Sequence, residues 1–118
     1  MKALTLLLVL LWVGCAGASA ATPAHPAPAD TAAESIERGR VLFRDKGCVT
    51  CHVNNRVEGK TGVMNLGAPN LTDYTNEPEF LRRWLADPAA VKLGARMPNL
   101  QLSETDIADL IAFLNEPR

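Results

Sequence analysis

Residues 48–52 read Cys48-Val49-Thr50-Cys51-His52, and no other stretch of the chain limits its structure so tightly. Two thiols one helical turn apart can each form a thioether with a haem vinyl group, and the adjacent imidazole is placed to ligate the iron from the proximal side. The domain around this motif is small, and aromatic residues make up only 5% of the chain. Such a domain struggles to bury enough apolar surface alone, so a large internal apolar cofactor is the expected staple.

Two other uses of the motif fall short on ligands or context. A structural zinc site needs a full tetrahedral set, and beyond Cys48, Cys51 and His52 the chain offers only His25 and Cys15, in segments that read as unfolded or removed. A thioredoxin-like Cys-x-x-Cys needs alternating strands and helices, and no strand-like run of useful length is present.

The amino-terminal end reads as a leader. Lys2 gives a positive start, residues 4–13 form a short apolar run, and Ala18-Ser19-Ala20 is a small-residue cleavage pattern. Residues 1–20 are therefore expected to direct export, with lipidation of Cys15 or retention as an anchor as the competing fates. Export fits the cysteines, since paired thiols in an oxidising compartment form a disulfide unless another group takes them. Residues 21–33 are rich in Ala and Pro and read as an extended spacer, in which His25 is an exposed linker residue and not an iron ligand. Residues 34–118 are left as one domain.

Formal charge is −1, which points to neither nucleic acid nor an acidic membrane surface. Membrane association is expected only through Cys15 or the leader. Arg38, Arg40, Arg44, Lys46, Arg56 and Lys60 lean towards the motif while the end of the chain carries Glu104, Asp106, Asp109 and Glu116, but Glu34, Glu37, Asp45 and Glu58 are interleaved with the bases, so the reading is an ordinary solvated surface.

Helical patterns place the motif. Thr31 to Glu34 is a capping box that opens a helix with Ile36, Gly39 and Phe43 on one stripe, ending at Gly47. Asn76 to Glu79 opens a second helix carrying Phe80, Leu81, Trp84 and Leu85, which Asp87-Pro88 ends. Ser103 caps the last helix, with Asp106 as its partner and Leu102 stapled on Ile107; Ile107, Leu110, Ile111 and Leu114 mark its buried face. Residues 53–69 are too rich in Gly, Asn and polar residues for a regular element and read as a loop around a cofactor. The fold class is all-α, without internal repeats.

A second iron ligand is sought among the methionines. Met97, in the irregular segment Lys92 to Pro98, is the expected one, because thioether is the usual partner of His in electron-transferring haems. Met64 lies too near His52 in sequence and is read as core filling, pocket lining or a solvent-facing residue. A His/Met site has a raised potential and exchanges an electron without a change of ligands.

Gly39 and Phe43 before Cys48-Val49-Thr50-Cys51-His52, then Gly67-Ala68-Pro69-Asn70-Leu71, then Met97-Pro98 before the last helix, together resemble class I c-type cytochromes with one haem. Trp84 to Pro88, with Lys92, Gly94 and Met97-Pro98 at their offsets, is similar to cytochrome c domains attached to some cytochrome oxidase subunits, although no copper-binding domain precedes it here. The resemblance implies a small cytochrome c fold in which the N- and C-terminal helices cross near Gly39, Phe43 and Phe113, with a middle helix and long loops around one haem c bound through Cys48 and Cys51. It implies that the Pro69 carbonyl accepts the second ring N–H of His52, the rival reading of Pro69 being a turn residue, and that Leu71 lies against the cofactor. It leaves Trp84 between a hydrogen bond to a haem propionate and plain core packing, and Arg96 between a propionate partner and an exposed arginine.

The function so implied is a periplasmic or otherwise extracytoplasmic electron carrier of a respiratory chain, with a protein donor and acceptor, a terminal oxidase among the candidates. No nucleophile, paired carboxylates or phosphate loop marks a substrate site, so no enzymatic activity is expected. The competing readings are a small haem enzyme or sensor with a displaceable sixth ligand, and a haem subunit of a larger membrane respiratory complex.

Overall fold

A computed structural model describes residues 30–64 and 66–117. The leader, Cys15 and His25 lie outside the described residues. Within them the regular structure is helical: α1 (Ala32–Asp45), α2 (Cys48–Cys51), α3 (Pro78–Ala86), α4 (Pro88–Val91) and α5 (Glu104–Leu114).

Capping chemistry sets most of these boundaries. Thr31 is extended, its hydroxyl accepts the Glu34 N–H, and the Glu34 carboxylate accepts the Thr31 N–H at 2.8 Å, so two otherwise unsatisfied donors are met at the start of α1. Helix α1 thus includes Ala32 and Ala33, the last two residues of the spacer reading. It closes at Gly47, whose φ of 78° is left-handed and whose N–H donates to the Arg44 carbonyl. Ser103 and Asp106 exchange the same pair of bonds, each 3.1 Å, at the start of α5.

Asp87 does more than end a helix. Its N–H closes α3 on the Arg83 carbonyl, while its carboxylate accepts from Ala89 and Ala90 and caps α4, with Pro88 in the first turn. The sequence reading stopped at the stop signal and missed the short helix that the same two residues start.

The core is built where α1 crosses α5 and α3 packs beside them, from Phe43, Leu81, Leu85, Ile107, Leu110, Phe113 and Leu114. Gly39 lies at the crossing: a Cβ built there would stand 2.1 Å from the Asp109 carbonyl oxygen and 2.7 Å from the Phe113 Cβ. One turn on, the Phe43 and Phe113 rings meet edge to face, with centroids 5.7 Å apart. Arg40 and Arg56 each place a guanidinium over the Phe113 ring, and Arg56 donates to the Phe113 carbonyl at 3.0 Å, supplying a cation at the carbonyl end of α5.

Asp109, read from sequence as one of several acids near the end of the chain, is only 3% exposed. Ser35 donates to one carboxylate oxygen, and Arg38 grips both through Nε at 2.8 Å and Nη2 at 2.9 Å. This charge-assisted fork joins the two crossing helices. The Arg38 hydrogen bonds hold the Asp109 carboxyl below its ordinary value, against the opposing effect of burial. A carboxylate whose folded pKa is depressed stabilises the fold above its unfolded pKa of about 4 and loses that contribution as pH falls through the folded value. Asp109→Asn is therefore expected to lower the unfolding midpoint at pH 6, and the gap from the parent should close towards pH 3. Urea titrations across that range check it; a gap independent of pH would contradict the linkage.

Candidate functional site

Gly47 turns the chain directly from α1 into α2, and the single turn Cys48–Cys51 brings both thiols to one side at i and i+3. No disulfide joins them. Burial pushes the Cys48 thiol up to about 11, the reverse of the depressed value that a redox-active Cys-x-x-Cys nucleophile requires. Among the described residues no group of three or more His, Cys, Asp or Glu is placed to hold a metal ion.

His52 follows in extended conformation, its N–H donating to the Cys48 carbonyl. Its ring Nδ1 lies 2.9 Å from the Pro69 carbonyl oxygen. Because a carbonyl only accepts, Nδ1 carries the proton, which leaves the Nε2 lone pair of the neutral ring for a metal.

Pro69 is held there by a second layer of bonds. Leu71 N–H donates to the Val53 carbonyl at 2.7 Å, Asn54 Nδ2 donates to the Leu71 carbonyl at 3.2 Å, and Asn55 N–H donates to Thr72 Oγ1. Asn54 is completely buried, and its Oδ1 also accepts the Arg56 N–H. The other edge of the loop is tied to α2 by Gly62 N–H to Val49 and Met64 N–H to Thr50. Sequence reasoning passed over Asn54 because Asn signals a loop; that one Asn of a polar run would be the buried strut had no local mark.

Met97 comes from a distant segment. Gly94, with φ of 75°, turns the chain after α4, and the Met97 side chain packs against the core. Trp84 of α3 donates its indole N–H to the Met97 sulfur at 3.1 Å. Neither sequence reading of Trp84, a propionate partner or plain packing, included this bond. Met64 also departs from the core-filling reading: it is 49% exposed and does not line the cavity described next.

Cys48, Cys51, His52, Pro69, Leu71, Trp84 and Met97 all line one cavity of about 740 Å³, a size suited to a cofactor. Phe43, Leu81, Leu85, Leu110 and Leu114 give it an apolar floor from the same face of the helices that forms the core. Its charged lining residues, among those described, are Lys92 and Arg96, both exposed, with no carboxylate. Paired thiols, an oriented imidazole, a thioether, an apolar body and cations without acids match the chemistry of a haem c, whose ring is apolar and whose peripheral carboxylates are anionic.

The sequence model of the family described as Cytochrome c matches residues 36–116. The chain belongs to the cytochrome c family. A relative of this cytochrome is the protein described as cytochrome c oxidase subunit 2 of Alkalihalophilus pseudofirmus, 32% identical over 88 residues, which are 65% of this chain and 24% of the relative. The cytochrome thus spans about a quarter of the length of the curated relative it matches. No solved structure matches it. Family membership implies a haem c and redox partners for it, and the helical fold agrees with the small cytochrome c architecture read from the motifs.

Proposed function

We propose that this cytochrome carries single electrons between redox proteins outside the cytoplasm through one haem c, attached to Cys48 and Cys51 and ligated by His52 and Met97. The observation that carries the reading is the convergence of the Pro69-oriented imidazole and the Met97 sulfur on the cavity that both cysteines line. A bound haem c supplies an iron that takes up and gives back one electron.

The protein residues hold and tune that group. Cys48 and Cys51 fix it to the chain. His52 offers Nε2 in an orientation set by Pro69, and Met97 offers a soft sulfur that favours the reduced state. The apolar lining would surround the ring with side chains of matching character. Lys92 and Arg96 supply positive charge for the carboxylates, so the acid-free lining suits binding and offers no proton-transfer pair for substrate chemistry.

The leader pattern of residues 1–20 supports export, where both attachment and electron exchange would take place. The relative's description, cytochrome c oxidase subunit 2, supports a respiratory setting with a terminal oxidase as electron acceptor.

Intact mass of the purified cytochrome is the primary test: it should exceed that of the polypeptide by one haem. In the ferric state a near-red sulfur-to-iron charge-transfer band should be present. Met97→Ala should keep the covalent haem, abolish that band, lower the midpoint potential and admit cyanide or carbon monoxide to the iron. A parent mass equal to its amino acids alone would remove the haem, and an unaltered Met97→Ala spectrum would remove Met97 as ligand.

A further inference from the structure

We propose that Asn54 is a positioning residue for the His52 imidazole, tying the carbonyl that orients the ring to the crossing of α1 and α5 and so lowering the redox potential; this rests on the reading that His52 ligates the haem iron through Nε2. Asn54 is completely buried, and its side chain has two backbone partners of opposite kind. The Arg56 N–H donates to Oδ1 at 3.0 Å, and Nδ2 donates to the Leu71 carbonyl at 3.2 Å. A backbone N–H only donates and a carbonyl only accepts, so the side-chain amide fits in one orientation alone. The strips on either side run in step: the His52 ring meets the Pro69 carbonyl at 2.9 Å, the Val53 carbonyl accepts the Leu71 N–H at 2.7 Å, and Asn54 takes the Leu71 carbonyl. Leu71 is thus held by both its backbone groups, and Pro69 is carried on the strip so pinned.

The clamp is anchored on the core through Arg56. Its guanidinium donates to the Phe113 carbonyl at 3.0 Å and lies 4.6 Å from the Phe113 ring centroid, while its own carbonyl accepts from Arg40 of α1 at 2.9 Å. Arg40 and Arg56 both pair with Glu116, just beyond α5. Hydrogen bonds therefore run from both crossing helices through Arg56 and Asn54 to the strip that bears Pro69. The orientation of the ring is set by the helix crossing and not by the loop alone.

This support has an electronic consequence. A carbonyl that accepts the Nδ1–H draws the proton outwards and makes the ring a more basic ligand at Nε2, which favours the more positive ferric centre. Releasing the Leu71 carbonyl from Asn54 loosens the strip and weakens the bond from the ring to Pro69. The imidazole then donates less, and the ferrous state gains.

The test uses the full holoprotein. Asn54→Leu keeps the volume and removes both side-chain bonds. Its ferrous-to-ferric ratio at a fixed ambient potential should rise about threefold, in keeping with the weakening of one hydrogen bond. In the ferrous state its His52 Nδ1–H proton resonance should move from the parent position and exchange faster with solvent. Thr61→Val is the control, since it removes the 3.2 Å bond from the Asn54 N–H to Thr61 Oγ1, a bond of the same loop made to none of residues 69–71. It should leave the potential and the ring resonance at the parent values. An unmoved ring resonance, a potential unchanged or lowered in Asn54→Leu, or equal shifts in the two variants, as a general loss of packing would give, would overturn the proposal. If Asn54→Leu does not fold, hydrogen exchange of the parent decides: the His52 Nδ1–H and the Leu71 N–H should open together, and a ring proton protected about tenfold less, or worse, would overturn it. A parent whose His52 ring carries no hyperfine shift in the ferric state would instead show that ligation by His52 had failed, and this assignment with it.

Discussion

Replacing Cys48 and Cys51 together by alanine is expected to abolish the folded holoprotein. Among the described residues the two thiols are the atoms that would bind the cofactor irreversibly, and the space it would occupy adjoins the core. A cavity of about 740 Å³ lies under the same leucines and phenylalanine that make the core. At about 24 cal/mol per Å³, leaving even a third of it unfilled costs on the order of 6 kcal/mol, comparable with the whole stability of a domain, about 5–15 kcal/mol. The double variant should show the mass of the polypeptide alone after mild haem extraction and a circular dichroism spectrum with little helix. Retention of haem and helix under those conditions would mean that apolar contacts and the two axial residues suffice, and that the covalent link is not what keeps the cofactor in place.

Gly39→Ala is expected to lower the thermal midpoint of the holoprotein by roughly 10 °C or more. Two effects oppose each other at this position. Alanine is the better helix former by about 0.5–1 kcal/mol. Its methyl group, however, would fall 2.1 Å from a backbone oxygen of α5, and neither that oxygen nor the Phe113 Cβ is the loose end of a flexible side chain. Overpacking of this kind costs about 1–3 kcal/mol and more where backbone must move, so the clash outweighs the propensity gain. In a domain of this size each kcal/mol is worth about 4–8 °C. The helices would separate, taking the Arg38–Asp109 fork and the Phe43–Phe113 contact with them. A thermal midpoint at or above that of the parent would show that α1 and α5 can slide apart at little cost.

What was legible in the sequence was mostly local. The capping boxes at Thr31 and Ser103, the glycine stop at Gly47 and the Cys-x-x-Cys-His run each act within one helical turn, so neighbouring residues are enough to read them. The crossing of the end helices was legible because Gly39 and Phe43 share a stripe. Long-range polar bonds were not legible. Asp109 counts as an ordinary acid until its position four residues before Phe113 is seen to direct it at Gly39, where Ser35 and Arg38 meet it. That signal was available in the helical spacing and was hidden by treating the charges of the terminal helix as a solvated set. Trp84 and Met97 are 13 residues apart on separate elements, and the short α4 between them was not anticipated, so nothing in their spacing brings an indole to a sulfur.

The two walls of the cavity are secured very differently. Residues 47–72 are laced mainly to one another, through Val49, Thr50, Val53, Asn54 and Pro69, and form a self-bracing frame around the imidazole. The sulfur-bearing residues 96–98, among the described residues, are hydrogen-bonded to the rest of the molecule through a single donor from α3, beside the packing of Met97 on the core. Under heat, denaturant or competing ligands, disengagement is accordingly expected to begin on the sulfur side while the imidazole stays docked, so the molecule would pass through a half-open form before it unravels.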